Sequence, residues 1–403
     1  MTDTLGLYIS VPFCRAKCTF CNFASGVFAD ERLQQYVDQL CVEIAAAPAR
    51  AASLGAVLPD RVDTLYLGGG TPSLLQPAQV YQIFRALAAS FALQPGCEFT
   101  LECAPGQLHP ETLEAMQQHG LNRISFGVQS FVDRESAAIG RLHTRQICLD
   151  EITRVRAAGI ANINLDLISG LPHQTEASWQ SSLQVAIDSG APHLSVYMLE
   201  VDEDSRLGQE VLAHGTRYGA AALPTDDQSA AWYQQACQQL QAAGVRQYEI
   251  SNFAREGAAS RHNLKYWLRH PYLGFGLDAH SMLETQTGAV RFANADALES
   301  YAPMVERSPL PMLASAALTV EVLTEDQAFE ESLFLGLRLT EGVCLQQLAR
   351  RFGTARLQSL QPALQELFDA GLLQQTGQRL ALTAEGRMLS NEVFSRLLLA
   401  PAG

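Results

Sequence analysis

Residues 14–21 read Cys-Arg-Ala-Lys-Cys-Thr-Phe-Cys, which sets three thiols in a Cys-x3-Cys-x2-Cys array. The array follows an apolar run at residues 5–11, whose length and composition predict a buried strand. The pair Pro12-Phe13 separates this run from the first thiol. The array therefore lies on a loop that leaves the end of a first strand, and further strands are expected beside it.

The thiols of this loop favour a metal centre. Cysteine thiolates at this density suit zinc or iron–sulfur iron. Structural zinc takes four ligands, whereas this loop offers three. The spacing therefore favours a [4Fe–4S] cluster with one open iron, held by Cys14, Cys18 and Cys21. A zinc site completed by a distant residue, or a reactive or structural cysteine cluster, stays an open alternative.

Composition narrows the class of protein. The chain has 403 residues, enough for about two to three domains, and 47% of them are hydrophobic. A net charge of −14 disfavours binding to nucleic acid phosphates. The first residues show no signal peptide, and no apolar run is long enough to cross a bilayer. Nine cysteines, an odd number, fit a reducing cytoplasm, which is the expected location.

A repeated pattern predicts the architecture. Helical stretches end in a glycine that supplies a left-handed cap, and a short strand follows each one. Strands that alternate with helices favour a parallel sheet, so the expected fold is α/β, an incomplete TIM-like (β/α) barrel. In such barrels the chemistry gathers at the carboxyl ends of the strands. The predicted strands are residues 5–11, 62–67, 97–102, 121–126, 160–168, 193–199 and 245–250.

Polar motifs follow several of these strands. The turn 68–73, Gly-Gly-Gly-Thr-Pro-Ser, would expose backbone N–H groups to a ligand, although a tight strand-to-helix turn explains it equally well. Glu102 ends the third strand, where a carboxylate can pair with an ammonium group, unless it is an ordinary exposed glutamate. Asp166 has apolar neighbours on both sides and needs a partner.

The array, with an aromatic residue just before its last cysteine, resembles the signature of the radical SAM superfamily. This resemblance implies that S-adenosylmethionine chelates the open iron through its amino and carboxylate groups. One electron from the reduced cluster then cleaves the sulfonium to a 5′-deoxyadenosyl radical. The family pattern has Asn-Pro-Gly after the third strand, and Ala104 departs from it. The residues that the resemblance assigns to the S-adenosylmethionine pocket are Tyr8, Phe20, Gly69, Gly70, Thr71, Glu102, Gln129, Arg141 and Asp166.

Residues 8–14, Tyr-Ile-Ser-Val-Pro-Phe-Cys, resemble the subgroup that holds the oxygen-independent coproporphyrinogen III oxidases and the heme chaperones of the HemW family. Residues 262–267, His-Asn-Leu-Lys-Tyr-Trp, resemble the His-Asn-x-x-Tyr-Trp motif of the chaperones. That resemblance implies that His262 contacts heme. The chemistry alone favours an aromatic cluster packed on the barrel mouth. His280 is a second candidate for the heme ligand, although a buried, hydrogen-bonded structural histidine explains it equally well.

Three features favour the chaperones over the oxidases. The oxidase pattern has a further cysteine where this chain has Phe23. Tyr8 lies only seven residues from the start of the sequence, which leaves no room for the N-terminal extension of the oxidases. The 262–267 motif also fits the chaperones. The resemblance therefore implies a protein that binds heme and transfers it to an acceptor hemoprotein, with a flavodoxin- or ferredoxin-like electron donor. The alternatives are a coproporphyrinogen oxidase, which removes carboxyl groups oxidatively, and a radical enzyme for another substrate. Contact with a membrane surface stays open.

The strand pattern stops at about residue 325. Helices are predicted over 325–339, 345–352 and 356–370, and a hairpin over 372–382, which together resemble a small winged-helix unit. From residue 340 onward there are six arginines, no lysine and five acidic residues, so no DNA-binding face is expected. The expected domains are a barrel at 1–255, a linking segment at 256–320 and a helical domain at 321–403.

Overall fold

The computed structural model describes residues 4–286, 288–306 and 318–399. The strands are β1 Thr4–Val11, β2 Arg61–Gly69, β3 Ala92–Cys103, β4 Arg123–Gln129, β5 Asn162–Ser169, β6 His193–Met198, β7 Arg246–Gln247, β8 Asn252–Ala254, β9 Tyr272–Phe275, β10 His280–Glu284, β11 Ala289–Ala293, β12 Thr319–Leu323, β13 Val343–Cys344, β14 Leu373–Thr376 and β15 Arg379–Leu382. The helices are α1 Asp30–Ser53, α2 Pro77–Ser90, α3 Pro110–Gln118, α4 Asp133–Ala138, α5 Arg145–Ala157, α6 Glu176–Asp188, α7 Arg206–Leu212, α8 Asp226–Ala242, α9 Arg261–Trp267, α10 Leu298–Glu306, α11 Glu325–Arg338, α12 Leu345–Phe352, α13 Thr354–Ser359, α14 Gln361–Asp369, α15 Ala384–Met388 and α16 Ser390–Arg396. Short 3-10 helices lie at Pro72–Leu74 and Arg217–Ala222.

In the described part of the chain, one sheet of twelve strands forms the body of the protein. Its order is β12-β11-β10-β9-β1-β2-β3-β4-β5-β6-β8-β7. From β1 to β6 every neighbouring pair is parallel, and helices connect the strands. Within the described residues the sheet ends at β12 and β7 and does not close on itself. The predicted α/β fold with an incomplete parallel barrel is confirmed.

The two faces of the parallel strands differ in chemistry. Apolar side chains such as Leu67, Phe126 and Leu165 are fully buried. Polar residues occupy alternate positions, and the strand register sets them side by side, as in Glu102↔Ser125 and Ser125↔Asn164. A parallel sheet covered on both faces is normally apolar on both. The alternation therefore marks the inner face of the open barrel as a binding surface.

The prediction of a seventh strand at residues 245–250 is wrong. β7 has only two residues, and it pairs antiparallel with β8. The chain turns between them because the buried Glu249 carboxylate accepts hydrogen bonds from the Ser251 N–H (3.0 Å) and the Asn252 side chain. A later strand, β9, pairs parallel with β1 instead.

The segment predicted as a linker carries regular structure. Within its described part lie α9, the strands β9 to β11 and α10, and the strands extend the main sheet. The division of the chain into three domains at residues 255 and 320 stays a prediction.

The C-terminal unit, residues 325–399, has its own apolar cluster and a sheet in the order β13-β15-β14. The predicted hairpin is confirmed as β14 and β15. The predicted helix 356–370 is wrong in one respect, since α13 ends at Ser359 and α14 begins at Gln361. Pro362 lies in the first turn of α14, where a missing backbone N–H is tolerated. In the interior of one continuous helix the same proline would remove a hydrogen bond and break the helix.

Candidate functional site

The cysteine loop is closed by hydrogen bonds at its base. The Cys14 N–H donates to the Gly26 carbonyl (2.8 Å), and the Gly26 N–H donates to the Pro12 carbonyl (2.9 Å). Farther along, the Thr19 N–H donates to the Ile139 carbonyl (3.1 Å), and the Leu207 N–H donates to the Thr19 carbonyl (2.8 Å). The loop is therefore fixed at the carboxyl end of β1 by segments that follow β4 and β6.

The three predicted cluster ligands, Cys14, Cys18 and Cys21, are all half-buried on this loop. Among the described residues, no group of three or more His, Cys, Asp or Glu side chains is placed to hold a metal ion. Burial raises the pKa of Cys18, and the positive charge of Arg141 counteracts part of that effect.

The glycine turn after β2 lies directly against the cysteine loop. The Gly70 N–H donates to the Val11 carbonyl (3.0 Å), and the Thr71 N–H donates to the Phe13 carbonyl (2.8 Å). A Cβ on Gly70 would lie 2.7 Å from the Val11 oxygen, so no larger residue fits. The Thr71 hydroxyl is 3.7 Å from the Cys14 sulfur and donates to it. The predicted residues of the turn and the first cluster ligand therefore form one local unit.

Glu102 lies beside this turn. Its carboxylate accepts hydrogen bonds from the Tyr66 hydroxyl (2.8 Å) and from the Gly69 N–H (3.2 Å). The pKa of Glu102 is raised to about 7, mainly by burial and in smaller part by the nearby charge of Asp166, whereas the two hydrogen bonds and the charge of Arg141 oppose this rise. At neutral pH the carboxyl group is thus close to its titration midpoint. A ligand that donates hydrogen bonds here would favour the ionised form.

Asp166 and Arg141 lie on the same inner face. Asp166 accepts a hydrogen bond from the Asn164 amide (2.7 Å), and burial raises its pKa. The Arg141 guanidinium lies over Gly127, where a Cβ would collide with it. Arg141 interacts by charge with both Glu102 and Asp166. The predicted carboxylates and the predicted arginine are therefore brought together.

Gln129 supplies the clearest sign of a missing ligand. It ends β4 with φ of +66°, a strained value for a residue other than glycine. Its Oε1 atom and the Nε atom of Arg141 are both buried, and neither has a hydrogen-bond partner among the described residues. A buried acceptor and a buried donor without partners are costly unless a ligand pairs with them. This part of the site fits a polar ligand such as S-adenosylmethionine.

Two aromatic residues complete the predicted pocket. The Tyr8 ring stacks on the Tyr66 ring, with centroids 5.9 Å apart. Phe20, next to the third cysteine, packs against Ile139, Ile168 and Leu171 at the carboxyl end of β5. The pocket thus has an apolar side at Phe20 and a polar side at Glu102.

His262 lies elsewhere. It is 1% exposed, and it is on α9, near the amino ends of the strands. Its Nδ1 atom is 2.9 Å from the Thr64 hydroxyl, and its Nε2 atom is 2.9 Å from the Tyr266 hydroxyl. Both ring nitrogens are engaged, so in this arrangement the ring does not fit an axial heme ligand. The second candidate, His280, has a side chain that is 68% exposed, 3.8 Å from Asp278.

Sequence reasoning missed Tyr66 and the polar residues that support Asp166. Ser125 and Asn164 form a network there: the Asn164 amide donates to the Ser125 hydroxyl (2.7 Å). No motif marks these residues. A signal was nevertheless present, because polar residues alternate with apolar ones along β2 and β5 in a sheet expected to be apolar on both faces.

Comparisons with known proteins identify the family. Residues 8–186 match the family described as the radical SAM superfamily, and residues 323–389 match the HemN C-terminal domain. The chain is 35% identical over 396 residues to the heme chaperone HemW of Bacillus subtilis, covering 97% of this chain and 98% of that protein. It is 31% identical over 395 residues to the heme chaperone HemW of Lactococcus lactis, covering 97% of each.

A solved structure shares the fold. Coproporphyrinogen III oxidase from Escherichia coli, a radical SAM enzyme, matches with a TM-score of 0.83 over 98% of this chain and 90% of that one. The two sequences are 24% identical, so this likeness concerns the fold alone. No helix in the described part of the chain is both long and apolar enough to cross a membrane.

Proposed function

The chain belongs to the HemW family of the radical SAM superfamily, and from this premise we propose that it is a heme chaperone: it binds heme and transfers it to an acceptor hemoprotein. The observation that supports the proposal most is the nearly full-length match to relatives that carry this name. The radical SAM family implies a [4Fe–4S] cluster and S-adenosylmethionine as resident cofactors. Heme is the cargo.

The proposed cofactor site uses the residues that the structure brings together. Cys14, Cys18 and Cys21 would hold the cluster, and Thr71 would stabilise the first thiolate by its hydrogen bond. When bound, the cluster supplies an electron for cleavage of the sulfonium of S-adenosylmethionine. Glu102 would accept hydrogen bonds from the amino group of that ligand. The remaining pocket residues are Tyr8, Phe20, Gly69, Gly70, Gln129, Arg141 and Asp166.

The buried donors and acceptors of the pocket have separate tasks in this proposal. The Arg141 guanidinium suits the ligand carboxylate, because it is planar and always charged. The unpaired amide oxygen of Gln129 suits a ribose hydroxyl, which donates a hydrogen bond. No residue is assigned a catalytic role. The predicted heme contact of His262 stays a prediction, and in the described arrangement it would first have to give up a hydrogen bond.

Phe23 distinguishes the chaperone from the coproporphyrinogen oxidase. It occupies the position at which the oxidase pattern has a further cysteine, and it is 65% exposed beside the cysteine loop. A phenyl ring offers neither a metal ligand nor a thiol at that place. An acceptor hemoprotein and a flavodoxin- or ferredoxin-like electron donor are the proposed partners.

The test uses full-length protein reconstituted anaerobically with iron and sulfide. One sample is titrated with hemin while the Soret band is followed, then mixed with an apo-hemoprotein. A parallel sample is incubated with coproporphyrinogen III, S-adenosylmethionine and a reductant. The chaperone proposal predicts a saturable Soret shift at a fixed stoichiometry, transfer to the apo-hemoprotein, and no decarboxylated porphyrinogen.

Either of two results would contradict the proposal. Decarboxylated product would mean that Phe23 does not prevent the oxidase reaction. A hemin titration that never saturates would mean nonspecific adsorption. The same hemin titration of the Cys14→Ala, Cys18→Ala, Cys21→Ala triple variant shows whether heme binding depends on the cluster.

A further inference from the structure

Helix α9 closes the end of the barrel that lies opposite the cysteines. The Glu98 carboxylate on β3 accepts the backbone N–H groups of Arg261 and His262, each at 3.0 Å. The Lys265 ammonium pairs with Asp63 at 2.7 Å, near the start of β2. Two charged contacts thus fix α9 beneath the amino ends of the strands.

His262 points from this helix into the barrel. Its two ring nitrogens bond Thr64 and Tyr266, and it is almost completely buried. Burial, together with the charge of Lys265, lowers its pKa to about 3, so the ring is neutral. One nitrogen therefore donates a hydrogen bond and the other accepts one. The ring is held from both sides and has no freedom to turn without breaking a contact.

The ring of His262 supports the aromatic residues above it. Its centroid lies 5.2 Å from that of Tyr66, at an interplanar angle of 31°. Tyr66 in turn stacks on Tyr8 at 5.9 Å and 29°. The Tyr66 hydroxyl donates the 2.8 Å hydrogen bond to Glu102. A continuous series of contacts thus connects His262, on the helix at the end of the barrel opposite the cysteines, to the proposed cofactor pocket at Glu102.

We propose that His262 is a positioning residue of the S-adenosylmethionine pocket: it holds the Tyr66 ring so that the Tyr66 hydroxyl orients and stabilises the ionised carboxylate of Glu102. This inference rests on the proposed function, since it requires that S-adenosylmethionine binds beside Glu102. It also means that His262 is not the axial ligand of heme.

The charge state of Glu102 makes the inference measurable. The pKa of Glu102 is about 7: burial is the main cause of its rise, and the Tyr66 hydrogen bond opposes that rise. Without that bond the pKa rises, and more of the carboxyl group is protonated at neutral pH. A protonated carboxyl is a poorer acceptor for the ligand's amino group. The titratable and charged groups that face Glu102 are Tyr8, Tyr66, Arg141, Asp166, Tyr197 and Tyr266.

The experiment compares the reconstituted full-length protein with three variants. Tyr66→Phe removes only the hydroxyl, His262→Ala removes the supporting ring, and His262→Gln keeps an amide that can bond Tyr266. Affinity for S-adenosylmethionine is measured between pH 6 and 8 from the change in the EPR signal of the reduced cluster. Hemin binding is measured separately by the Soret band.

Two matched controls separate a local effect from general loss of structure. Tyr81→Phe removes a hydroxyl that donates to Gln118 on the surface (2.6 Å). His119→Ala removes a histidine that stacks on Phe84 at 4.2 Å, away from the pocket. Both controls are expected to bind S-adenosylmethionine as the wild type does.

The expected result is about a tenfold loss of affinity in Tyr66→Phe and in His262→Ala, the size of a lost hydrogen bond to a charged group. In both variants the affinity for S-adenosylmethionine should still increase with pH, but the increase should occur at a higher pH than in the wild type. The Soret shift with hemin should be unchanged. His262→Gln is expected to recover part of the affinity. If His262→Ala does not fold, Tyr66→Phe and His262→Gln decide the matter.

Wild-type affinity in a folded His262→Ala variant, or in Tyr66→Phe, would overturn the inference. Loss of the Soret shift in His262→Gln, with normal S-adenosylmethionine binding, would overturn it as well and restore His262 as a heme ligand. Failure of the wild type itself to bind hemin would contradict the heme chaperone proposal. That failure would leave the S-adenosylmethionine comparison intact.

Discussion

Arg338 lies over the ring of Trp267, with its guanidinium carbon 4.3 Å from the ring centroid. Arg338 ends α11 in the C-terminal unit, whereas Trp267 ends α9 beneath the barrel. The same guanidinium approaches the fully buried Glu249 carboxylate at 3.5 Å. On the same helix Glu331 pairs with Arg269 at 2.8 Å. The C-terminal unit therefore holds α9 in place through contacts of charge and of aromatic surface.

Replacing Arg338 with alanine should destabilise the protein. Glu249 would keep a buried carboxylate without its cation, and Trp267 would lose the guanidinium that covers it. Breaking a buried ion pair on one side costs about 3 kcal/mol of the free energy of unfolding. Urea unfolding should show this loss, and the added change Glu249→Gln should recover part of it. Arg350→Ala, at an exposed arginine of α12, is the control. Equal stability of the two arginine variants would contradict the prediction.

Glu43 should be a second sensitive position. Its buried carboxylate accepts hydrogen bonds from the Gly276 N–H (2.8 Å), the Tyr301 hydroxyl (2.7 Å) and the Asn294 amide (2.7 Å), and it pairs with Arg50 at 3.1 Å. Glu43→Ala removes an acceptor from four donors at once, and we expect a loss of about 3 to 5 kcal/mol in the free energy of unfolding.

Urea unfolding also tests this second prediction. Glu43→Gln keeps one acceptor oxygen and should lose less stability than Glu43→Ala. Glu31→Ala, on an exposed position of the same helix, should change stability by less than about 0.5 kcal/mol. A small effect of Glu43→Ala would mean that water or a rearranged side chain replaces the carboxylate.

Local motifs made part of the site predictable from sequence. The cysteine loop follows β1, the glycine turn begins at the end of β2, and Glu102 and Asp166 lie within β3 and β5. The apolar residues of these strands make each of them visible in the sequence. Because parallel strands align their carboxyl ends, residues near those ends of neighbouring strands come together. The 3.2 Å hydrogen bond from the Gly69 N–H to the Glu102 carboxylate is an example.

Contacts between distant segments could not be predicted in this way. The position of α9 depends on Glu98 and Asp63, which no motif marks, and on the C-terminal unit more than sixty residues farther along the chain. The parallel pairing of β9 with β1 joins residues 266 positions apart in the chain, as in Gly6↔Tyr272. Periodicity within a short window carries no information on such pairs. The packing of α9 and β9 against the barrel was therefore not predicted.

Gly70→Ala should impair the cysteine loop. The new Cβ would lie 2.7 Å from the Val11 oxygen and 2.8 Å from the Phe13 nitrogen, and both are backbone atoms that cannot move without the loop. We expect less iron per chain after reconstitution, together with a lower melting temperature. Gly288→Ala is a suitable control, because among the described residues its Cβ would approach only the Leu323 oxygen, at 3.4 Å. Normal iron content in Gly70→Ala would show that the turn is more tolerant than its contacts indicate.

The cluster ligands should be separable from the other cysteines by iron content. Alanine at Cys14, Cys18 or Cys21 should abolish the brown absorbance, whereas the wild type should hold about four iron atoms per chain. Cys237→Ala, at a half-buried cysteine of α8, should leave both the brown absorbance and the iron content unchanged. Retention of iron and sulfide by the triple variant would rule out the proposed ligands.

Binding of S-adenosylmethionine should depend on pH through Glu102. Its pKa is raised to about 7 by burial, so the carboxyl group is mostly protonated at pH 6 and mostly ionised at pH 8. Because the ionised form is the better acceptor for the amino group, the contribution of Glu102 to affinity should grow as pH rises through 7. The ligand's own amino group also titrates near this range, so wild type and Glu102→Gln are compared at each pH. The ratio of their affinities isolates the carboxylate, and we expect it to rise about tenfold between pH 6 and 8. A ratio that stays constant, or that falls, would mean that Glu102 does not bind the ligand in its ionised form.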